Sequence, residues 1–452
     1  MNNPFFTQLP GIGIVDLLWF AAEGTGFLTC FTHALDRYIK HEPDFCEILA
    51  CIVVMGSNMG LKQMAENSGM SYSSMKSTER SYLRLETLHA ANDAISNATA
   101  ALPIFPLYNI DDTLHSSSDG QQIETQINTI NARHSQKYFG LKKGVSAYTI
   151  VANHIPINAK IIGTHEHESH YVFDILYNNT SDIKPQTHST DTHGTNQVNF
   201  WILHAFGYYF APRYRDLHKK IDSLVGFQHP QYYKDFLIKP ARKITGELIE
   251  KEWPNVQRIM ASLAQKDVTQ ATIIRKLSSY SRQNHTKKAL WELDNIRRTI
   301  HILNFIDDVT LRQGVQKALN RGEAYHRFRR AIAFANSGKF RVKTESEQQL
   351  WNECSRLISN AVIYYNTVLL SRVYEQKIAT GDKEAESIMK NISPVAWQHI
   401  NLFGAFEFNK PSSRIDIDAL VALYTDQDYW GKAILSDNNI NEYLPFRGDG
   451  QI

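Results

Sequence analysis

Between residues 107 and 212 the chain stops reading as continuous helix, and that change of texture restricts the fold more than any other feature of the sequence. Residues 113–125 and 146–153 have strand character, the second running Ser-Ala-Tyr-Thr-Ile-Val-Ala-Asn. After Pro156, the stretch 157–163 (Ile-Asn-Ala-Lys-Ile-Ile-Gly) reads as a third strand, paired to the second as a hairpin. A short helix over 170–178, a strand poor in apolar residues over 186–190, an apolar helix over 196–206 and a buried strand over 208–212 complete the series. Three strands followed by alternating helix and strand predict a mixed α/β sheet.

The flanks are helical. Residues 1–105 carry the apolar run 45–55 and a helical pattern over 77–101 through Tyr82, Leu83, Leu85, Leu88 and Ile95. Between them, 61–83 has the outline of a helix-turn-helix, although a packed helical hairpin that never meets DNA fits it equally. Downstream, 219–308 reads as almost wholly helical, as do 311–336 and 346–377. The turn-rich stretch 426–452 holds few apolar residues and is expected to be partly disordered.

A chain of 452 residues is long enough for two or three domains. Four scattered cysteines (Cys30, Cys46, Cys51 and Cys354) do not make a disulfide framework, so reduced thiols in the cytoplasm are expected. The apolar stretches near the N-terminus are too short or too interrupted to span a bilayer, and no membrane role is expected. The net charge of +2 conceals an asymmetry. Residues 213–343 contain 27 Lys and Arg against fewer than half as many Asp and Glu. A basic middle in an otherwise acidic chain suits a polyanionic partner, though a solvated helical bundle would show the same bias.

Three acidic residues stand at element edges among small or turn residues: Asp119 in Ser-Ser-Ser-Asp-Gly-Gln, Asp191 in Ser-Thr-Asp-Thr-His-Gly, and Glu323 in Asn-Arg-Gly-Glu-Ala. Adjacent strands would set the two aspartates side by side, and a helix packed across the sheet end would add the glutamate. Such oxygen donors suit Mg²⁺ or Mn²⁺, and two ions of this kind serve in-line displacement at phosphorus. Clustered without metal, the carboxylates repel, so at least one pKa should rise. Taken singly, each has an ordinary explanation. Asp119 before Gly120 suits a turn, Asp191 suits a helix cap near Thr195, and Glu323 can pair with Arg327. A competing cluster, His165, Glu166, His167, Glu168 and His170 with His188 and His193, is rich in zinc-ligand types but matches no established ligand spacing.

The strings Ser-Ser-Asp-Gly-Gln, Thr-Asp-Thr-His-Gly and Leu-Asn-Arg-Gly-Glu-Ala together resemble the three catalytic signatures of the Tn-three family of replicative transposases, in the same order and with a long helical insertion before the glutamate. Further agreement lies in Phe210-Ala-Pro-Arg-Tyr-Arg-Asp-Leu217, in Arg275-Lys-Leu277 with Ser279-Tyr-Ser-Arg-Gln-Asn284, and in Trp397-Gln-His-Ile-Asn-Leu-Phe-Gly404. The resemblance runs from about Leu9 to Phe408. It implies a ribonuclease-H-like core built from 106–218 and 309–410, interrupted by a basic helical insertion (219–308), preceded by a helical domain (1–105) used for dimerisation or DNA contact, and followed by a tail (411–452).

On this resemblance Asp119, Asp191 and Glu323 hold two Mg²⁺ or Mn²⁺ ions for 3′-end nicking and strand transfer in DNA transposition. The partners implied are double-stranded DNA and a second copy of the chain, in a nucleoid-associated cytoplasmic setting. Arg213 and Arg215 become clamps on backbone phosphates, with Arg275, Lys276, Arg282, Lys287, Lys288, Arg297 and Arg298 of the insertion as further grips. His193 is placed to contact the scissile DNA. Asn320, Arg327 and Arg330, at −3, +4 and +7 from Glu323, share its helix face. Family members are much longer than this chain, and the region that recognises terminal inverted repeats is the part not represented. The alternative expectation is therefore a catalytically idle, truncated transposase remnant that binds DNA or a full-length partner.

Overall fold

The computed structural model describes residues 4–424 except 36–42, 128, 130, 280–283, 342, 343, 405 and 411–414. Its centre is a mixed sheet of β1 (His115–Glu124), β2 (Lys143–Ala152), β3 (Ile155–Gly163), β4 (Thr187–Ser189) and β5 (Tyr209–Phe210), with the short strand Arg133–His134 beside the start of β2. Asn153 and His154 form the two-residue turn between β2 and β3. Both adopt positive φ, 42° and 75°, and such turns match the twist of antiparallel strands. Pro156 lies within β3, next to the irregularity where the register shifts between Ile150 and Val151. It is tolerated there because β3 is an outer strand and a bulge relieves the missing donor.

The strand order is β3-β2-β1-β4-β5. β1, β2 and β3 run antiparallel, whereas β1, β4 and β5 run parallel. The parallel half depends on crossovers through the two helices α6 (Val172–Tyr177) and α7 (Asn199–Ala205), numbered after those of the N-terminal region below.

That region contains α1 (Ile14–Thr25), α2 (Phe45–Ser57), α3 (Leu61–Ser68), α4 (Tyr72–Tyr82) and α5 (Leu85–Ala100). The continuous helix expected over 77–101 is broken at Leu83 and Arg84, both extended. Arg84 donates from its guanidinium to the Thr32 and Ser81 carbonyls, and its backbone N–H donates to Thr87 Oγ1. These bonds, some from a distant part of the chain, outweigh helix propensity. The pair α3 and α4 is a helix-turn-helix in outline, with Gly69 in the left-handed region and Ser71 capping α4.

After β5 the expected run of helix over 219–308 is also corrected. Apart from a short helix at Leu217–Ile221, it becomes regular only at α8 (Gly246–Ala264), α9 (Gln270–Ser279) and α10 (His285–Asp307). Before α8 the chain turns irregularly, and Val225–Gly226 pairs with Arg242–Lys243. Gly226, Pro230 and Pro240 are the physical reason, since none supports an unbroken helix.

Two long helices follow, α11 (Val309–Ile332) and α12 (Glu345–Ala379). α12 is buried over almost all its turns, packed against α1, α2, α5 and β3. On one face of the sheet, α11 crosses β1 at close range. The Ser117 hydroxyl donates to the Ala318 carbonyl at 2.7 Å, and Gly322 lies over Ser117. The buried Arg329 then bonds Gln121 Oε1 (2.6 Å), Thr149 Oγ1 (3.2 Å), the Ala147 carbonyl and Asn352. α6 lies across the opposite face, where Asn158 donates to the Ile175 carbonyl. Residues 425–452, which include the stretch expected to be disordered, lie outside the described residues. Among the described residues no helix is long and apolar enough to cross a membrane.

Candidate active site

The geometry of the site follows from strand register. In the parallel pair, Ser117 of β1 is level with Ser189 of β4. Asp119 and Asp191 each lie two residues beyond this last pair, and the charge of Asp191 acts on the Asp119 carboxyl. β4 ends at Ser189 while β1 continues to Glu124. The sheet is therefore open on that side of β1 from Asp119 onward.

Beneath this opening the two strands are held by polar rather than apolar contacts. The Ser116 and Ser118 hydroxyls bond Nδ1 and Nε2 of the buried His188 at 2.9 and 2.8 Å, and Tyr148 shares a 2.6 Å bond with Ser118. His115 Nε2 bonds Ser189 Oγ at 2.7 Å, and Ser189 donates to the Ala211 carbonyl on the β5 side. Burial holds the imidazoles of His115 and His188 far below the ordinary range, each at about 3. Both ring nitrogens of His188 are engaged by serine, so it is committed to this network.

Asp119 sits inside a strand rather than in a turn, and its Oδ1 accepts from the Gly120 N–H. Its carboxyl is pushed up to about 8, first by burial and then by the charges of Glu168, Asp191 and Glu323. Asp191 caps the short helical turn Thr192–Gly194. Its Oδ1 accepts from the His193 and Gly194 N–H groups at 2.9 and 3.2 Å, and its Oδ2 lies 3.0 Å from His193 Nδ1. The cap is thus real, for a turn that begins three residues earlier than Thr195. Glu323 is exposed on α11 and, among the described residues, makes no ion pair with Arg327.

Two further residues stand at this site that the sequence did not single out for it. Glu168, on the turn Glu168–His170 after β3, is the charged neighbour that acts most strongly on Asp119. Burial first, then Asp191, raises its own pKa, against the pull of Ser146 and His193. The available signal was Gly120, since a glycine inside a strand marks close approach. His326, one turn after Glu323, is buried with Nδ1 3.8 Å from Asp119 Oδ2. Burial and the charges of Arg329 and Arg330 keep it far below the usual histidine range. Its i+3 spacing from Glu323 was the signal there.

The rest of the His165–His170 segment has other partners. Tyr171 donates to Glu166, which also lies 3.8 Å from Arg275, and His167 and His170 face each other with ring centroids 5.8 Å apart. Among the described residues no three His, Cys, Asp or Glu side chains close around a common point as a finished metal cage. The carboxylates at the opening are all hard oxygen donors whose charges raise the pKa of Asp119, and this donor chemistry fits a divalent cation.

Of the basic residues, Arg213 and Arg215 adjoin the Asp191 turn. The Arg213 N–H donates to the Thr190 carbonyl, and Thr192 Oγ1 bonds the Arg213 carbonyl and the Arg215 N–H. Arg213 also donates to Gln316, which donates to Asn320 on α11. Arg275 reaches the loop before Glu168 because the start of α9 is fixed to α6, with the Gln270 N–H donating to Asp174. Arg327 and Arg330 are exposed on the helix of Glu323. Lys276 is exposed, Lys287 lies over the Trp291 ring at 4.9 Å, and Arg298 bonds Asn295, none with a bond to the carboxylate segments. Arg282 lies outside the described residues.

Comparison with known proteins gives the family. A family model described as the Tn3 transposase DDE domain matches residues 16–406. The transposase for transposon Tn1546 of Enterococcus faecium is 32% identical over 89% of this chain and 40% of its own length. The transposase for transposon Tn501 of Pseudomonas aeruginosa is 31% identical over 88% of the chain and 40% of its own length. The transposase for transposon gamma-delta of Escherichia coli is 25% identical over 91% and 41%. The chain thus spans about two fifths of these relatives, and over that span it belongs to the Tn3 transposase DDE domain family.

Proposed function

We propose that the chain is the catalytic region of a DNA transposase, in which Asp119, Asp191 and Glu323 work with two Mg²⁺ or Mn²⁺ ions to nick the 3′ ends of a transposon and join them to target DNA. The observation that carries this reading is that Asp119 and Asp191 each follow the last paired residues of two neighbouring parallel strands by two positions, where the charges of Asp191 and Glu323 both act on Asp119. The order β3-β2-β1-β4-β5 supports a ribonuclease-H-like core. The names of the relatives support DNA as substrate.

When bound, such ions supply the charge that activates the attacking oxygen and stabilises the leaving one. The chain's own residues orient the donors. Asp119 is anchored through Oδ1 by the Gly120 N–H, and Asp191 through Oδ1 by two backbone amides. Arg213 and Arg215 grip phosphates beside the cut, and Arg275, Lys276, Arg282, Lys287, Lys288 and Arg327 extend that footprint along the duplex. His193 and Asn320 border the scissile bond. Two copies of the chain act together, one at each DNA end.

The purified chain is expected to nick duplex DNA bearing transposon ends in Mg²⁺ or Mn²⁺. Asp119→Ala or Asp191→Ala should reduce nicking by about a hundredfold or more. A chain that binds the duplex but leaves it intact with either metal is a DNA-binding remnant, and the enzyme reading fails.

A further inference from the structure

We propose that Glu168 is a fourth carboxylate of the metal-binding set, reaching the open side of β1 through the space that Gly120 leaves for it. This rests on the reading of Asp119, Asp191 and Glu323 as metal ligands. Three independent features lead to it. The first is the strand itself: a Cβ on Gly120 would collide with the Glu168 carboxyl and with the Ser146 hydroxyl, so the glycine makes room for a side chain that arrives from after β3. The second is anchoring. Glu168 Oε1 accepts from Ser146 Oγ at 3.0 Å and from Gln122 Nε2 at 3.3 Å, one donor from each of the two central strands. Outer contacts of this kind fix a ligand's orientation.

The third feature is what surrounds it. Ser146 and Gln122 are neutral and Arg275 pairs with Glu166 instead, so no Lys or Arg side chain among the described residues forms an ion pair with Glu168. A half-buried carboxylate held at fixed orientation by neutral donors alone is stabilised by a hard cation rather than by the protein alone.

Mn²⁺ titration of the DNA-free chain tests the inference without relying on cleavage. Glu168→Gln preserves the shape and can still meet Ser146 and Gln122, so the fold should remain, as checked by thermal unfolding in chelator. Mn²⁺ affinity should fall at least about tenfold. Gly120→Ala should weaken Mn²⁺ binding similarly with every carboxylate still present. Glu124→Gln, at the far end of β1, should change nothing. If the wild-type chain binds Mn²⁺ and Asp119→Ala abolishes it while Glu168→Gln binds as tightly as wild type, the inference is overturned and the transposase reading stands. If the wild-type chain binds no Mn²⁺, the metal-ligand reading fails and takes the inference with it.

Discussion

The two halves of the central sheet are built on opposite principles. β2 and β3 are packed by apolar side chains: Val145, Ala147, Ile150, Val151, Ile155, Ile157, Ile161 and Ile162 are all buried. β1 and β4 are also largely buried, yet they contain a single aliphatic residue, Ile123, and are joined by serines and histidines. Apolar packing is non-directional and tolerates small repacking. Hydrogen-bonded serine and imidazole fix position and register, and any member left unpaired is costly. The candidate site lies at the end of the polar half, where Asp119 of β1 and Asp191, two residues past β4, act on one another.

The largest loss should come from the residue that fastens both central strands, polar β1 and apolar β2, to the helix that crosses them. Arg329→Ala removes the guanidinium held by Gln121, Thr149, Asn352 and the Ala147 carbonyl. Urea unfolding should show a loss of about 3–5 kcal/mol. A loss under ~1 kcal/mol would mean that the apolar packing of α11 suffices without it.

The next effect is a pH dependence specific to the polar half. His115 and His188 each have a folded pKa of about 3, well below the ordinary histidine value of 6.5. A lowered pKa contributes stability that is present above the unfolded value and lost as pH falls through the folded one. Stability should therefore decline by a few kcal/mol between about pH 6.5 and pH 3. His188→Gln, which keeps a donor and an acceptor but does not titrate, should flatten part of that slope. An unchanged slope would assign the acid sensitivity elsewhere.

How legible this was in the sequence divides along the same line. The apolar hairpin was readable because burial and strand propensity coincide in 146–163. β4 was only faintly readable: Thr187, His188 and Ser189 look like loop residues until Ser116 and Ser118 are set against them. Asp191 could be matched to a motif, but its alignment with Asp119 depends on register, which no local pattern specifies. Glu168 was hidden because its meaning resides in Gly120, remote in sequence, so it read as part of a histidine-rich zinc candidate. The break at Leu83 and Arg84 was hidden for a similar reason, since Thr32 lies far back in the chain.

The apolar half should respond mildly. Ile150→Val, at a fully buried position of β2, should cost about 0.5–1.5 kcal/mol and leave Mn²⁺ affinity unchanged. A shift in metal binding would show that the halves are mechanically coupled. The smallest effect has the opposite sign. Asp119 has a raised folded pKa of about 8, so the stability linked to its protonation is present at low pH and lost as pH rises through 8. With 36% of the side chain exposed, solvent limits the gain from Asp119→Asn in metal-free protein to about 1 kcal/mol or less, seen as a higher Tm at pH 8.5 than wild type and little difference at pH 5. A destabilised Asn variant at pH 8.5 would contradict the crowding of like charge at this site.

The contact between β1 and α11 also orders events in time. Ser117 meets Ala318 and Asp119 meets His326 across more than two hundred residues of intervening chain. At a synthesis rate of about 5–20 residues per second, roughly ten to forty seconds separate the emergence of the strand from that of its helix. A nascent chain carries both aspartates for most of that interval without Glu323, so assembly of the centre waits on the helix that carries it.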